Sequence, residues 1–257
     1  MPRVSVLMAV HNGEATLRTA MDSILAQTFT DFEFLVIDDA STDQTPAILD
    51  SYHDPRIIRL NNTVNLGLAK SLNRGLESVC GEYIARMDAD DISLPERLQV
   101  QVAFLDTHPS IDLLGANIRY IDSHDSLIEK QPPYDRYLPP QLIRWLLHWG
   151  NTFIHSTVML RRGAIVESGI RYQADLAAAQ DYELWARFVR TSDAAILPDF
   201  LVYYRINPEG ISYKRQQAQE EVRQSTMRRE LEKLIPEGLN SAGFAALTVL
   251  FSPFPSK

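Results

Sequence analysis

Three carboxylates, Asp88, Asp90 and Asp91, crowd the end of a short apolar run, Tyr83-Ile84-Ala85. Carboxylates this close repel one another, so ionising all three costs stability unless positive charge is brought to them. A divalent cation holding a diphosphate would supply that charge, and an all-oxygen donor set suits Mg2+ or Mn2+. The competing reading is a solvated acidic turn ahead of a helix. Ser93-Leu94-Pro95-Glu96 has the form of a helix start, with Ser93 as N-cap and Glu96 closing a capping box. Two more polar clusters, His11-Asn12 and Asp38-Asp39, also follow apolar runs.

The elements that must position these groups alternate between β and α patterns. Val4 to Val10 is a nearly continuous apolar run, as in a strand covered on both faces of a parallel sheet. Leu17, Met21, Ile24 and Leu25 recur at helical spacing and predict a helix over 14–27. Phe32 to Ile37 reads as a second strand, and Thr45-Pro46 opens the next helix, proline being tolerated in a first turn. Ile57 to Leu60 is a third strand, Leu68 to Val79 a third helix, and the fourth strand delivers the acids. In an open α/β sheet, ligands sit beyond the carboxyl ends of the strands, where strand order switches direction. The three polar exits are therefore expected to converge on one crevice.

Composition narrows the classes. With 257 residues, 45% of them hydrophobic, the chain can bury one sizeable core, and 23% charged residues argue against disorder. A net charge of -8 gives no basic field for nucleic acid, so a phosphate ligand must be held locally. Cys80, the single cysteine, rules out an internal disulfide and fits a reducing compartment. The N-terminus enters a strand pattern at once, and no signal peptide is expected. The apolar stretch from Ala242 to Phe251 is too short to span a bilayer, and packing is preferred over a membrane surface for it. No G-x-G-x-x-G, phosphate loop, nucleophile elbow or H-E-x-x-H is present, and His11, His53, His108, His124, His148 and His155 are scattered. A nucleotide-diphosphate site built from carboxylates and a hard metal remains.

At this point five segments resemble one family in order and spacing over about residues 3–212. They are Val4 to Gly13, Phe34 to Asp43, Asn65 to Gly75, Gly81 to Asp91 and Gln180 to Trp185. The family is that of the family 2 glycosyltransferases, which have the GT-A fold. The resemblance implies an α/β protein with an open, mixed, mainly parallel sheet flanked by helices. It implies a GT-A domain over 1–212, with a nucleotide-sugar half at about 1–107 and an acceptor half at about 108–212. A helical extension then covers 213–257.

The same resemblance implies roles. Asp88-Ala89-Asp90 looks like the family's D-x-D motif, with Asp90 on the Mn2+ or Mg2+ and Asp88 on the ribose or the metal's water shell. Asp39 would accept the N3–H of uracil or thymine, and Ala9, His11, Glu14, Lys70 and Ala89 would line the nucleotide. Asp181 would be the general base of an inverting transfer, doubling as N-cap for a helix over 182–190. An isolated aspartate is ionised at pH 7, the state a base requires. His155 and Trp185 would border the acceptor. The implied partners are a UDP- or dTDP-sugar and a glycan or lipid-linked acceptor, as in polysaccharide synthesis, with no nucleic acid. The implied place is cytoplasmic, at the inner face of a bacterial plasma membrane, open to peripheral contact with it.

Two positions depart from the family pattern. Gln180 stands where many members have glutamate, and Asn207 where several have a histidine near the diphosphate. A silent nucleotide-sugar-binding protein is the alternative these departures support, and a nucleotidyltransferase of related fold is the other. The latter would need a glycine- and basic-rich loop after the first strand, and His11 to Glu14 is not one. In the second half, Tyr134, Tyr137, Trp145 and Trp149 read as core residues ahead of sugar-stacking ones, in a loop and short helix over the site. Tyr213 to Leu234 reads as a charge-rich helix packing back on the domain.

Overall fold

Apolar side chains on both faces commit the first strands to the middle of a sheet. Every residue of β1 (Val4–Val10) and β2 (Phe32–Asp38) is buried, as a parallel strand covered by helices on both sides requires. β3 (Ile57–Asn61) and β4 (Tyr83–Arg86) join them in parallel, in the order β3-β2-β1-β4. The connections carry α1 (Leu17–Leu25), α2 (Thr45–Asp50) and α3 (Leu68–Leu76). Strand alternation divides the core into two layers. Val4, Val6, Met8 and Val10 pack with α1 and with α4 (Arg97–Thr107), while Leu7, Ala9, Leu35 and Ile84 pack with α3 on the other face. A Cβ at Gly75 of α3 would collide with Leu7 and Ile37, so the helix lies directly on the sheet.

The computed structural model describes residues 1–176, 178–207, 215–235, 240, 243–244 and 246–247. Beyond β4 the sheet continues through β8 (Met159–Arg161), antiparallel to both β4 and β6 (Ile111–Ile121). β9 (Asp193–Arg205) runs parallel to β6, and the two-residue β5 (Ile92–Ser93) pairs antiparallel with β9. β7 (Leu127–Ile128) folds back on β6, and the full order is β3-β2-β1-β4-β8-β6-β9-β5. The remaining helices are α5 (Pro140–Leu147), α6 (Arg162–Ser168), α7 (Gln180–Phe188) and α8 (Gln216–Glu232). The fold is thus the expected mixed α/β sheet flanked by helices. Strand order switches between β1 and β4, because β2 and β3 extend to one side of β1 and β4 opens the other.

Two capping expectations are corrected. Ser93 belongs to β5; its N–H donates to Ser23 Oγ (3.0 Å), its Oγ accepts from Gln27 Nε2 (3.1 Å), and α4 starts at Arg97. Pairing with Val202 in the distant β9 overrides the local capping pattern. Asp181 lies inside the first turn of α7, whose cap is Ala179 at φ 52°. Of the apolar stretch 242–251, Phe244 and Leu247 pack with Trp149, Met227 and Leu231, while Ala242 and Phe251 lie outside the described residues, as do 208–214. No helix among the described residues is long and apolar enough to cross a membrane.

Candidate active site

The loops leaving β1, β2 and β4 are stitched together at the switch point. His11 Nδ1 lies 2.9 Å from the Asp39 carbonyl oxygen, so this nitrogen carries the ring proton in that bond. Asn12 Oδ1 accepts the Thr42 N–H at 2.8 Å, and its own N–H donates to Ser41 Oγ at 3.0 Å. Thr16 Oγ1 donates to the Ala89 carbonyl at 2.9 Å and so ties the loop after β1 to the acid cluster. Glu14 serves the neighbouring helix: Oε2 accepts the Gln44 N–H at the start of α2 (2.9 Å), and its N–H donates to Asp43. Ala9 is buried at the end of β1, and Lys70 is exposed on α3.

Asp39 is buried and saturated with donors. Its Oδ1 accepts from Asn62 Nδ2 (2.6 Å) and Leu66 N–H (2.8 Å), and its Oδ2 from Gly67 N–H (2.8 Å). Gly67 has φ 85°, a left-handed conformation that side-chain-bearing residues rarely adopt. Burial opposes ionisation of Asp39, but the bonds from Leu66, Asn62, Gly67 and Ser71 outweigh it and hold its pKa below the ordinary carboxylate value. The acid therefore fixes the loop that leads into α3.

The acids after β4 are treated in three ways. Asp88 Oδ1 pairs with Arg86 Nη2 at 2.5 Å, and Oδ2 accepts Ser156 Oγ–H at 2.6 Å. Asp91 is buried, accepts the Arg205 N–H at 2.8 Å and forms a short bond with Ser156 Oγ. Ser156 Oγ is in donor reach of both acids with one proton to give, so filling both bonds requires a second proton on one of the two carboxyls. Burial, with repulsion from Asp90 and Asp88, pushes Asp91 well above the ordinary range, in keeping with that count. Asp90 is pushed up to about 6, by burial and then by Asp88. Its side chain is met by the Asn207 amide at 3.5 Å. Arg205 braces the loop: Nε donates to the Asp90 carbonyl and Nη1 to the Asp122 carbonyl, each at 2.7 Å, while Nη2 pairs with Asp125 at 2.5 Å.

No three His, Cys, Asp or Glu side chains among the described residues form a ready metal cage. A hard cation usually completes its shell there with substrate phosphates and water, held by one or two carboxylates. An acid whose ionisation is disfavoured by burial and a neighbouring carboxylate, as in Asp90, fits that requirement.

Further polar groups come from the second half. Asp181 accepts Asn151 Nδ2–H at 2.6 Å. Burial raises its pKa despite that bond, and the charge of Asp88 adds to the effect, which places both acids in one field. The expectation of an isolated aspartate is corrected accordingly: Asp181 is a stronger base than a solvated one. His155 lies 2.8 Å from Tyr172 Oη through Nε2, and burial, then Arg86, lowers its pKa to about 3, so the ring is neutral. Asn73 of α3 holds Tyr172 from both sides, donating to its carbonyl (2.8 Å) and accepting its N–H (2.9 Å).

Trp185 is 0% exposed, enclosed by Phe153, His155 and Tyr172 with ring centroids 6.0–6.5 Å away. Full burial corrects the expectation that it borders an acceptor; it backs His155 instead. Trp149 and half-buried Tyr134 fill the core as expected, whereas Trp145 (47% exposed) and Tyr137 (40%) do not. Sequence reading missed Arg86, Asn73, Asn151, Tyr172, Ser156 and Arg205. Arg86 and Asn73 lie inside quoted segments, but their roles depend on partners far along the chain.

The profile described as glycosyl transferase family 2 matches residues 5–169. The chain is 37% identical over 191 residues to the putative glycosyltransferase EpsE of Bacillus subtilis, covering 73% of this chain and 66% of EpsE, just under two thirds of its length. It is 28% identical over 212 residues to an Escherichia coli protein, covering 81% of this chain and 79% of that one. That protein is the UDP-Glc:alpha-D-GlcNAc-diphosphoundecaprenol beta-1,3-glucosyltransferase WfgD. Staphylococcus aureus TarS residues 1–349, solved in complex with UDP, superposes with a TM-score of 0.71 at 22% identity. That superposition covers 96% of this chain and 69% of the TarS chain, and it shows a shared fold.

Proposed function

The chain belongs to glycosyl transferase family 2, and on that premise we propose that it is an inverting, metal-assisted enzyme. It moves a sugar from a UDP- or dTDP-sugar to a hydroxyl of a glycan or lipid-linked acceptor. The observation that carries this reading is the bonding of the loops after β1, β2 and β4 to one another at the switch point, with Asp39 and Asp90 on those loops and Asp181 in the field of Asp88. WfgD supports the donor and acceptor classes, since it uses UDP-glucose and a lipid-linked diphosphate acceptor by its name. Residues 1–107 form the donor half in this reading, 108–212 the acceptor half, and 213–257 the extension, with the work done at the inner face of a membrane.

Asp39, with His11 and Ala9 beside it, receives the pyrimidine edge. The loop it pins and Lys70 border the nucleotide. Asp90 holds Mn2+ or Mg2+, assisted by Asn207. When bound, the cation offsets the negative charge that grows on the departing diphosphate. Asp181 takes the proton of the acceptor hydroxyl as its oxygen bonds to the anomeric carbon and the carbon–oxygen bond to the diphosphate breaks. Asn151 donates to Oδ2 and orients the carboxylate. Neutral His155 borders the acceptor as a hydrogen-bonding group, not as a charge.

Transfer from UDP- and dTDP-sugars to lipid-linked and glycan acceptors, compared with Asp181→Asn, tests this. Loss of a general base is expected to lower kcat by roughly 10²–10⁴-fold, with nucleotide affinity kept. Equal turnover by Asp181→Asn would sink the assignment.

A further inference from the structure

We propose that Arg86 is a positioning residue, the built-in counter-cation that takes Asp88 out of metal coordination and leaves Asp90 as the single protein carboxylate for the cation. This rests on the donor-site reading above. Arg86 is 1% exposed on β4. Alternation along that strand turns it toward the layer of Ile84, away from Tyr83, Ala85 and Met87. Its Nη2 lies 2.5 Å from Asp88 Oδ1 as an ion pair outside hydrogen-bond geometry, and none of Nε, Nη1 and Nη2 has a hydrogen-bond partner among the described residues.

A guanidinium so deeply buried is tolerated only with an opposite charge against it, and removing one partner strands the other. Asp88 is that partner. Its second oxygen is claimed by Ser156, in the 3-10 turn His155–Thr157, so both oxygens already face protein donors from two different segments. Asp90, two residues on, points to a neutral amide at 3.5 Å. The first acid of the motif thus locks β4 to the turn, and the second is left to face the ligand. The same placement puts the Arg86 charge within reach of His155 and Tyr172 on the acceptor wall.

The sign of one change decides the matter. Mn2+ is titrated into the full chain with and without UDP, with free ion read by electron paramagnetic resonance, for wild type, Arg86→Met, Asp88→Asn, Asp90→Asn and Arg86→Met/Asp88→Asn. Freeing Asp88 in Arg86→Met adds a carboxylate, and Mn2+ binding is expected to tighten, on the order of tenfold. The gain disappears in the double variant, which still binds Mn2+ within about tenfold of wild type, as expected for a group behind the ligands. In melting experiments Arg86→Met and Asp88→Asn each lose stability, and the double variant regains most of it.

Weaker Mn2+ binding in Arg86→Met would overturn the proposal, as would melting losses that simply add. Should Arg86→Met fail to fold, the double variant decides: loss of Mn2+ binding as complete as in Asp90→Asn makes Asp88 a ligand and overturns it. A wild type that binds neither Mn2+ nor UDP overturns the donor-site reading, and this inference with it. A wild type that binds both isolates the inference.

Discussion

Asp39 and Asp90 end β2 and β4 at the same edge of one sheet, and burial works against the charge of both. Their pKa values nevertheless move in opposite directions. Asp39 has three donated hydrogen bonds within 2.8 Å and falls below the ordinary value. Asp90 has one amide at 3.5 Å and a like charge nearby, and rises to about 6. The difference lies in what each acid has been given by the fold. Asp39 is held by three protein donors and fixes a loop. Asp90 receives weaker support, at the position proposed for a cation.

Substitution by asparagine separates the two. Asp39→Asn removes the charge that two backbone N–H groups share, and the protein should lose roughly 2–3 kcal/mol of stability, since bonds to charged groups carry that order of energy. Asp90→Asn relieves repulsion, and the metal-free protein should gain roughly 1 kcal/mol, the usual scale when a strained functional residue is replaced. Chemical denaturation of both variants at neutral pH checks the opposite signs. A loss in both would erase the distinction.

pH sharpens it. A native pKa raised to about 6 means the folded state binds more protons than the unfolded one between the ordinary value of 3.8 and about 6. Stability from Asp90 therefore falls as pH rises through that window and is flat above it. Asp39 runs the other way: its contribution is complete above 3.8 and is lost as pH falls toward its lower native value. The difference in stability between wild type and Asp90→Asn, followed from pH 7 downward, should shrink with acidification. For Asp39→Asn it should hold until pH drops below the ordinary carboxylate range.

Asp181 is also raised by burial, with the bonds from Tyr182 and Asn151 partly offsetting it. Asn151→Ala removes the bond, so the Asp181 pKa rises further. The base is then protonated at higher pH, and the acid limb of the pH–kcat profile should move upward by under about one unit, the scale of a single hydrogen bond. An unmoved limb would show that Asn151 does not tune the base.

Much of the fold's first half could be read from sequence because its signals are local. Val4 to Val10 and Phe32 to Ile37 are apolar throughout, and each is followed at once by a polar exit. The spacing of Leu17, Met21 and Ile24 placed α1 within a few residues of where it lies. Ser93 was misread because the bond that decides its state comes from β9, more than a hundred residues away. The same reason hides the second half of the site. Trp185 looks like an acceptor platform until Phe153, His155 and Tyr172 close around it. Nothing in the motif itself reveals that Ser156, 68 residues on, bonds the second oxygen of Asp88. Arg205 braces two loops, the one after β4 and the turn between β6 and β7, through partners far from it in sequence.

The central claim is that the crevice between β1 and β4 is a metal-dependent nucleotide site centred on Asp90. Calorimetric titration with UDP and dTDP, with and without Mn2+, on wild type and Asp90→Ala tests it most directly. Nucleotide binding that requires both Mn2+ and Asp90 is the predicted result. Binding indifferent to both, or no binding of either nucleotide under any condition, would contradict it and leave the acids as a solvated turn.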